Sequence, residues 1–85
     1  MTITLVKHVS ATETNSGMVL LDERTGYYWQ LNGTAATVLR LLLEGSAVGD
    51  VISVLREQHP IGSERAADDV RDLLSSLRDA KLVKS

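Results

Sequence analysis

The stretch Leu21–Gly45, LDERTGYYWQLNGTAATVLRLLLEG, decides the fold. It holds the only tryptophan, Trp29, and both tyrosines, Tyr27 and Tyr28. A turn, a strand and a helix follow one another in it without a gap. In DERTG, Asp22 can accept a bond from a backbone amide two residues on, and Gly26 can take positive φ at no steric penalty. Residues 22–26 therefore read as a hairpin loop. YYWQL reads as a strand whose side chains alternate, with Tyr27, Trp29 and Leu31 on one face and Tyr28 and Gln30 on the other. Asn32 stops this strand and stands where a helix N-cap is needed. Ala35, Val38, Leu39 and Leu42 recur at helical spacing, and Leu41 and Leu43 widen the stripe, so this helix is buried on more than one side. Gly45 ends it as a C′ glycine.

Working outward, Ile3–Val9 is rich in β-branched residues and reads as a strand able to run on into Thr12 or Thr14. Asn15, Ser16 and Gly17 form a turn cluster. Met18–Asp22 is a second strand, and its unbroken apolar run predicts cover on both faces. After Gly45, Ser46 is read as the cap of a second helix with the stripe Val48, Val51, Ile52 and Leu55, ended by His59-Pro60. Ile61-Gly62 is a short link. Ser63 is read as the cap of a third helix reaching about Lys81. Its stripe is Ala66, Val70, Leu73, Leu77 and Ala80, with Leu74 beside it. Glu64, Asp68 and Asp69 at its start and Arg78 and Lys81 at its end complement the helix dipole. Leu82 and Val83 pack back as a tail. The fold class is α+β, winged-helix-like: a three-stranded antiparallel sheet followed by three helices, β-β-β-α-α-α, with residues 1–85 as a single domain. In a simple meander the third strand, YYWQL, is an edge. It lacks the proline, lysine or internal charge that normally blunts an edge, so it is either covered or built to accept another strand.

The composition narrows the function. No cysteine is present, which removes disulfide and thiolate chemistry and fits a reducing cytoplasm. The net charge of -2 comes from interspersed signs and gives no footprint for nucleic acid or anionic lipid. No apolar run reaches membrane-spanning length. His8 and His59 lie on different elements, no Cys/His spacing suggests zinc, and no glycine-rich loop follows a strand as phosphate binding requires. Asp22-Glu23 and Asp68-Asp69 are adjacent carboxylates, which read as solvated charges. The expectation is a protein that is not an enzyme and uses no metal or cofactor. A DNA-binding reading would send the third helix into the major groove. Its charges are Glu64, Asp68, Asp69, Asp72 and Asp79 against Arg65, Arg71, Arg78 and Lys81, the wrong balance for phosphate. An aromatic edge strand beside an amphipathic helix suits strand addition, in which backbone bonds supply affinity and side-chain pockets supply register. Trp29 and Leu31 also suit a purely structural place under the helices.

The run Leu21-Asp22, Arg24-Thr25-Gly26, Tyr28-Trp29, Leu31-Asn32 and Thr34-Ala35, a pattern LDxRTGxYWxLNxTA, resembles the PqqD-like precursor-recognition proteins. More narrowly, it is similar to the small stand-alone proteins of lasso-peptide biosynthesis clusters. The Gly45-Ser46 junction and the ending DVRDLLSSLRDAKLV agree in order and character, so the resemblance spans nearly the whole chain, and the first strand matches only in type. It implies a non-catalytic, cytoplasmic module that binds the leader segment of a ribosomally made precursor peptide. The leader docks as an extra strand on the third strand, in a groove walled by the third helix. The partners implied are a cysteine-protease-like leader peptidase and an ATP-dependent macrolactam cyclase, with no nucleic acid and no membrane. Alternatives are a recognition element of another peptide-modifying pathway, PQQ-like or radical-enzyme, and, further off, a winged-helix DNA-binding module. On this resemblance Tyr27, Tyr28, Trp29, Gln30 and Leu31 supply the pairing strand, with Trp29 and Leu31 toward the helices. Ala67, Val70, Arg71, Leu74 and Arg78 form a ridge of the third helix at three- and four-residue spacing. Val70 and Leu74 are candidates for apolar leader contacts, though both suit core packing equally well. Ala67 leaves room for a bulky leader residue, and Asp69 or Arg71 meets polar leader atoms at the rim. Leu73 and Leu77 are assigned to the core.

Overall fold

The DERTG loop forms as its residues dictate. Asp22 Oδ1 accepts from the amides of Arg24 at 2.9 Å and Thr25 at 3.3 Å, and Gly26 takes φ 79°. The computed structural model describes residues 3–58 and 63–84, the side chains of Ser63 and Glu64 excepted. In chain order the elements are β1 (Thr4–Leu5), β2 (Val9–Thr14), β3 (Gly17–Asp22), β4 (Tyr28–Asn32), α1 (Gly33–Leu43), α2 (Val48–Gln58), α3 (Ser63–Asp79) and β5 (Val83–Lys84). The main sheet is antiparallel in the order β2-β3-β4, and three helices follow it, as expected from the sequence.

The predicted strand Ile3–Val9 is broken in two. Lys7 and His8 turn, and the Val9 amide donates to Val6 O at 2.9 Å. The first strand of the meander is therefore Val9–Thr14, while Thr4–Leu5 leaves the sheet and pairs with Val83–Lys84 near the other end of the chain. The apolar residues explain the split. Ile3, Leu82 and Val83 are all buried, and the β1–β5 clip is what lets them reach the core together.

Both helix boundaries that hold αL residues close in the same way. At the end of α1, the Gly45 amide donates to Leu42 O and the Ser46 amide to Leu41 O, with Gly45 at φ 99°, a Schellman motif. Ser46 thus closes α1. α2 starts at Val48, one residue later than a Ser46 cap would place it. At the end of α3 the Lys81 amide donates to Arg78 O and the Leu82 amide to Leu77 O, with Lys81 at φ 60°. A lysine occupies the position that favours glycine, so α3 stops at Asp79 and the chain reverses toward β5. The expected stop at His59-Pro60, the Ile61-Gly62 link and the Ser63 side-chain cap lie outside the described residues.

The core sits between one face of the sheet and the helices. Met18, Leu20 and Leu31 point into it, and α1 lies across β3 and β4 with Ala36, Leu39 and Leu42 buried. Val51 and Leu55 of α2 and Ala66, Val70, Leu74 and Leu77 of α3 complete it. The opposite face of β3, Val19 and Leu21, is half-buried. Each buried leucine contributes about 1.5–3 kcal/mol. The Arg40–Glu13 pair that ties α1 to β2 at 2.6 Å is exposed and contributes at most about 1 kcal/mol, so apolar burial sets the helix on the sheet. Gly17 is fixed by close approach, because a Cβ there would lie 1.9 Å from Leu31 O in β4.

Two stability predictions follow from these contacts. Gly17→Ala must push the β3 and β4 backbones apart, and urea denaturation should show a loss of about 1–3 kcal/mol. Lys81→Gly relieves the αL residue and should raise stability by about 0.5–1 kcal/mol in the same assay.

Candidate functional site

The hairpin loop and the helix cap fix both ends of β4. At its start, the Tyr27 amide is taken by Thr25 Oγ1 at 3.2 Å, and the Asp22 amide donates to Tyr27 O at 2.8 Å. At its end, Asn32 Oδ1 accepts from the Ala35 amide at 2.8 Å and starts α1. Asp22 carries the loop. Partial burial opposes its charge, but the amides of Arg24 and Thr25 and the positive potential of His8 and Arg24 outweigh that, and its pKa is held below the usual carboxylate value. His8 Nε2 stands 3.7 Å from Asp22 Oδ1.

The register settles which backbone groups of β4 are free. Antiparallel pairs alternate between those that exchange hydrogen bonds and those that do not. The Asp22-to-Tyr27 bond marks that pair as bonded, so Leu20–Trp29 and Met18–Leu31 are bonded pairs too. Leu21–Tyr28 and Val19–Gln30 are the non-bonded ones. The other side of β3 agrees: Glu23 donates to His8 O at 2.9 Å, and the two-residue Asn15-Ser16 loop is closed by the Thr14–Gly17 pair. Odd-numbered residues of β3 bond to β2 and even-numbered ones to β4. The N–H and C=O groups of Tyr28 and Gln30 therefore point away from β3. Among the described residues no strand pairs with that side of β4.

The side chains divide as the alternation requires. Leu31 is buried and Trp29 half-buried on the helical side, while Gln30 and Tyr28 are exposed, Tyr28 at 62%. Tyr27, 60% exposed, meets Trp29 edge-to-face with ring centroids 6.4 Å apart. A cavity of about 310 Å³ opens where β4 ends. Asn32, Thr34, Ala35 and Val38 line it from the β4–α1 junction, Leu55 from α2, and Asp69, Asp72 and Leu73 from α3.

The predicted α3 residues divide between the core and two concavities. Val70 is fully buried and Leu74 is 5% exposed, so both belong to the core. Arg71, Leu74 and Arg78 line a different concavity, of about 490 Å³, with Val48 of α2. Arg71 also lies 3.5 Å from Asp68 on its own helix, and Ala67 is half-buried. Arg71, Leu74 and Arg78 of the predicted ridge thus share a concavity with α2, while Asp69, Asp72 and Leu73 line the cavity at the β4–α1 junction. Leu73, assigned to the core from sequence, is half-buried and lines the cavity. The stripe Ala66, Val70, Leu74 and Leu77 takes the core, which leaves Leu73 on one margin and Arg71 and Arg78 on the other, with Asp72 lining both concavities. Leu73 with Asp69 four residues before it, an apolar residue beside a charge at the stripe's margin, was the signal available for this flank.

A model of the family described as coenzyme PQQ synthesis protein D (PqqD) matches residues 17–83. The chain belongs to the PqqD family. The match begins at the first residue of β3 and so takes in β4, all three helices and the cavity between them. Among solved structures, the chain is similar to one described as "Lasso peptide synthetase B1 complexed with the leader peptide", at 35% identity over 100% of both chains, with a TM-score of 0.94. A second, described as "TbiB1 in Complex with the TbiA(beta) Leader Peptide", is 22% identical over 100% of this chain and 96% of that one, with a TM-score of 0.87, and shares the fold. No curated protein matches the sequence. No helix among the described residues is long and apolar enough to cross a membrane.

The edge assignment is open to hydrogen exchange. Amides of Trp29 and Leu31 should exchange slowly and those of Tyr28 and Gln30 fast, as read by NMR; the reverse order would mean the register is shifted by one. The loop has a pH signature. Because the folded pKa of Asp22 lies below its unfolded value, its contribution is present above the ordinary Asp range and is lost as pH falls through the folded value, below about 4. Urea midpoints compared between pH 7 and pH 3 should fall more for the native chain than for Asp22→Ala.

Proposed function

We propose that this chain, residues 1–85 acting as one domain, is a leader-peptide recognition protein of lasso-peptide biosynthesis. The observation that carries the reading is the open edge of β4, where Tyr28 and Gln30 each offer an outward amide and carbonyl. An extended peptide laid along that edge pairs with those groups, and its alternate side chains descend on the helical side toward Trp29, Leu31 and the cavity. The full-length similarity to a lasso synthetase protein solved with its leader supports this use of the edge. The protein does no chemistry in this reading. It works in the cytoplasm, holds the leader and presents the attached core to a cysteine-protease-like leader peptidase and then to an ATP-dependent macrolactam cyclase. The family's description comes from quinone-cofactor synthesis, which keeps a PQQ-like pathway as the second reading; the 35% identity over the full chain favours the lasso one.

Tyr27 and Tyr28, exposed at the head of the strand, flank the peptide on its approach. Trp29 and Leu73, both half-buried, provide the apolar surface it covers. The Arg71, Leu74 and Arg78 flank, turned toward α2, is left for contacts other than the leader.

Titration with the leader of the precursor encoded beside this gene tests the reading, followed by amide shifts and Trp29 fluorescence. Binding should move Tyr28 and Gln30 most among backbone amides. Gln30→Pro removes an outward donor without removing a β3–β4 bond and should weaken binding by about 1 kcal/mol. Trp29→Ala should weaken it by more than ~1 kcal/mol, with circular dichroism confirming that the variant is folded. Leader binding that leaves residues 28–32 unmoved would place the site elsewhere.

A further inference from the structure

The cavity at the end of β4 has a chemistry that the general reading does not use. Ala35, Val38, Leu55 and Leu73 give its walls apolar surface, Asn32 and Thr34 stand at the β4–α1 junction, and α3 adds two carboxylates, Asp69 and Asp72. Both are exposed, and among the described residues neither has an ion-pair partner, whereas the neighbouring Asp68 has Arg71 at 3.5 Å. A volume of about 310 Å³ is enough for one long side chain. Asn32, the last residue of β4, lines the cavity, so its opening adjoins the end of the free edge. On a strand added to β4, the residue level with Leu31 shares its helical face, one residue from Asn32 at the cavity.

We propose that this cavity is a specificity pocket for a basic residue of the bound peptide. The aliphatic stem of a lysine or arginine packs against Leu73, Ala35 and Val38, and its cationic head reaches the carboxylates of Asp69 and Asp72. This side-chain type divides its surface in the way the pocket does, apolar along its length and charged at its tip. An acidic peptide residue at the same level meets like charge, so the pair selects against it. The inference rests on strand addition at β4 and adds to it the class of side chain that one position of the peptide must carry.

Selection from a phage-displayed library of randomised peptides of about ten residues tests it, using the whole chain as bait. Peptides recovered on the native protein should share a lysine or arginine at one position. A recovered peptide should lose about fivefold in affinity when that residue is replaced by norleucine, and the loss should shrink at high salt. The double variant Asp69→Asn, Asp72→Asn changes only exposed side chains, and it should bind the lysine and norleucine peptides about equally well while keeping its far-ultraviolet circular dichroism. Peptides that bind and shift the amides of Tyr28 and Gln30, yet show no basic preference, would overturn the pocket assignment and leave strand addition standing. Peptides that bind without shifting those amides would overturn both.

Discussion

Every backbone amide and carbonyl in a sheet needs a partner, and β3 meets that need on both sides: its odd-numbered residues bond to β2 and its even-numbered ones to β4. Among the described residues β4, like β2, meets it on one side only. The open side of β4 organises the rest of the molecule. The Asp22 loop and the Asn32 cap hold β4 in register at its two ends, and the helices cover one of its faces. Its outward row of polar groups, at Tyr28 and Gln30, stays available. A strand this short would not be stable with its inner face uncovered, so the burial of Leu31 under the helices is also what keeps its outer edge straight and presentable.

The helices do two jobs with one set of residues. α3 spends its strongest stripe, Ala66, Val70, Leu74 and Leu77, on the core. What lines the cavity at the end of β4 is a half-buried leucine, Leu73, with Asp69 and Asp72. A groove with an apolar floor and a charged rim results without any residue being buried uncomfortably, and among the described residues no buried polar side-chain atom lacks a partner. The ends of the chain support this arrangement from a distance. The β1–β5 clip and the αL turn at Lys81 bring Ile3, Leu82 and Val83 into the same core, which fixes the far end of α3 and hence the slope of the groove.

Much of this was legible in the residues. The DERTG loop, the alternating faces of Tyr28 to Leu31, the Asn32 cap and the Gly45 stop all rest on local chemistry, and each stands where the sequence places it. The same run carries the PqqD-like pattern, so the family and the edge strand could be read together. The readings that shifted all depended on a choice between distant partners. Ile3–Val9 is a good strand by composition, but its two halves pair with different strands, one near each end of the chain. Val70, Leu73 and Leu74 are all apolar and adjacent on the helix, and composition does not rank them.

What the sequence determined by itself was therefore the set of elements around β4, with the strand one residue later than the predicted Tyr27–Leu31, and the absence of any device to close its edge, because capping, turn formation and side-chain alternation act over a few residues. What only the tertiary structure decided was the parity of the free amides and the rotation of α3. Parity comes from which β3 residues face β4, a pairing between strands. Rotation comes from which apolar stripe fits best against α1, α2 and the sheet at once. Neither is a property of any short segment, and together they turn an aromatic strand with a neighbouring helix into a groove with a defined edge, floor and rim.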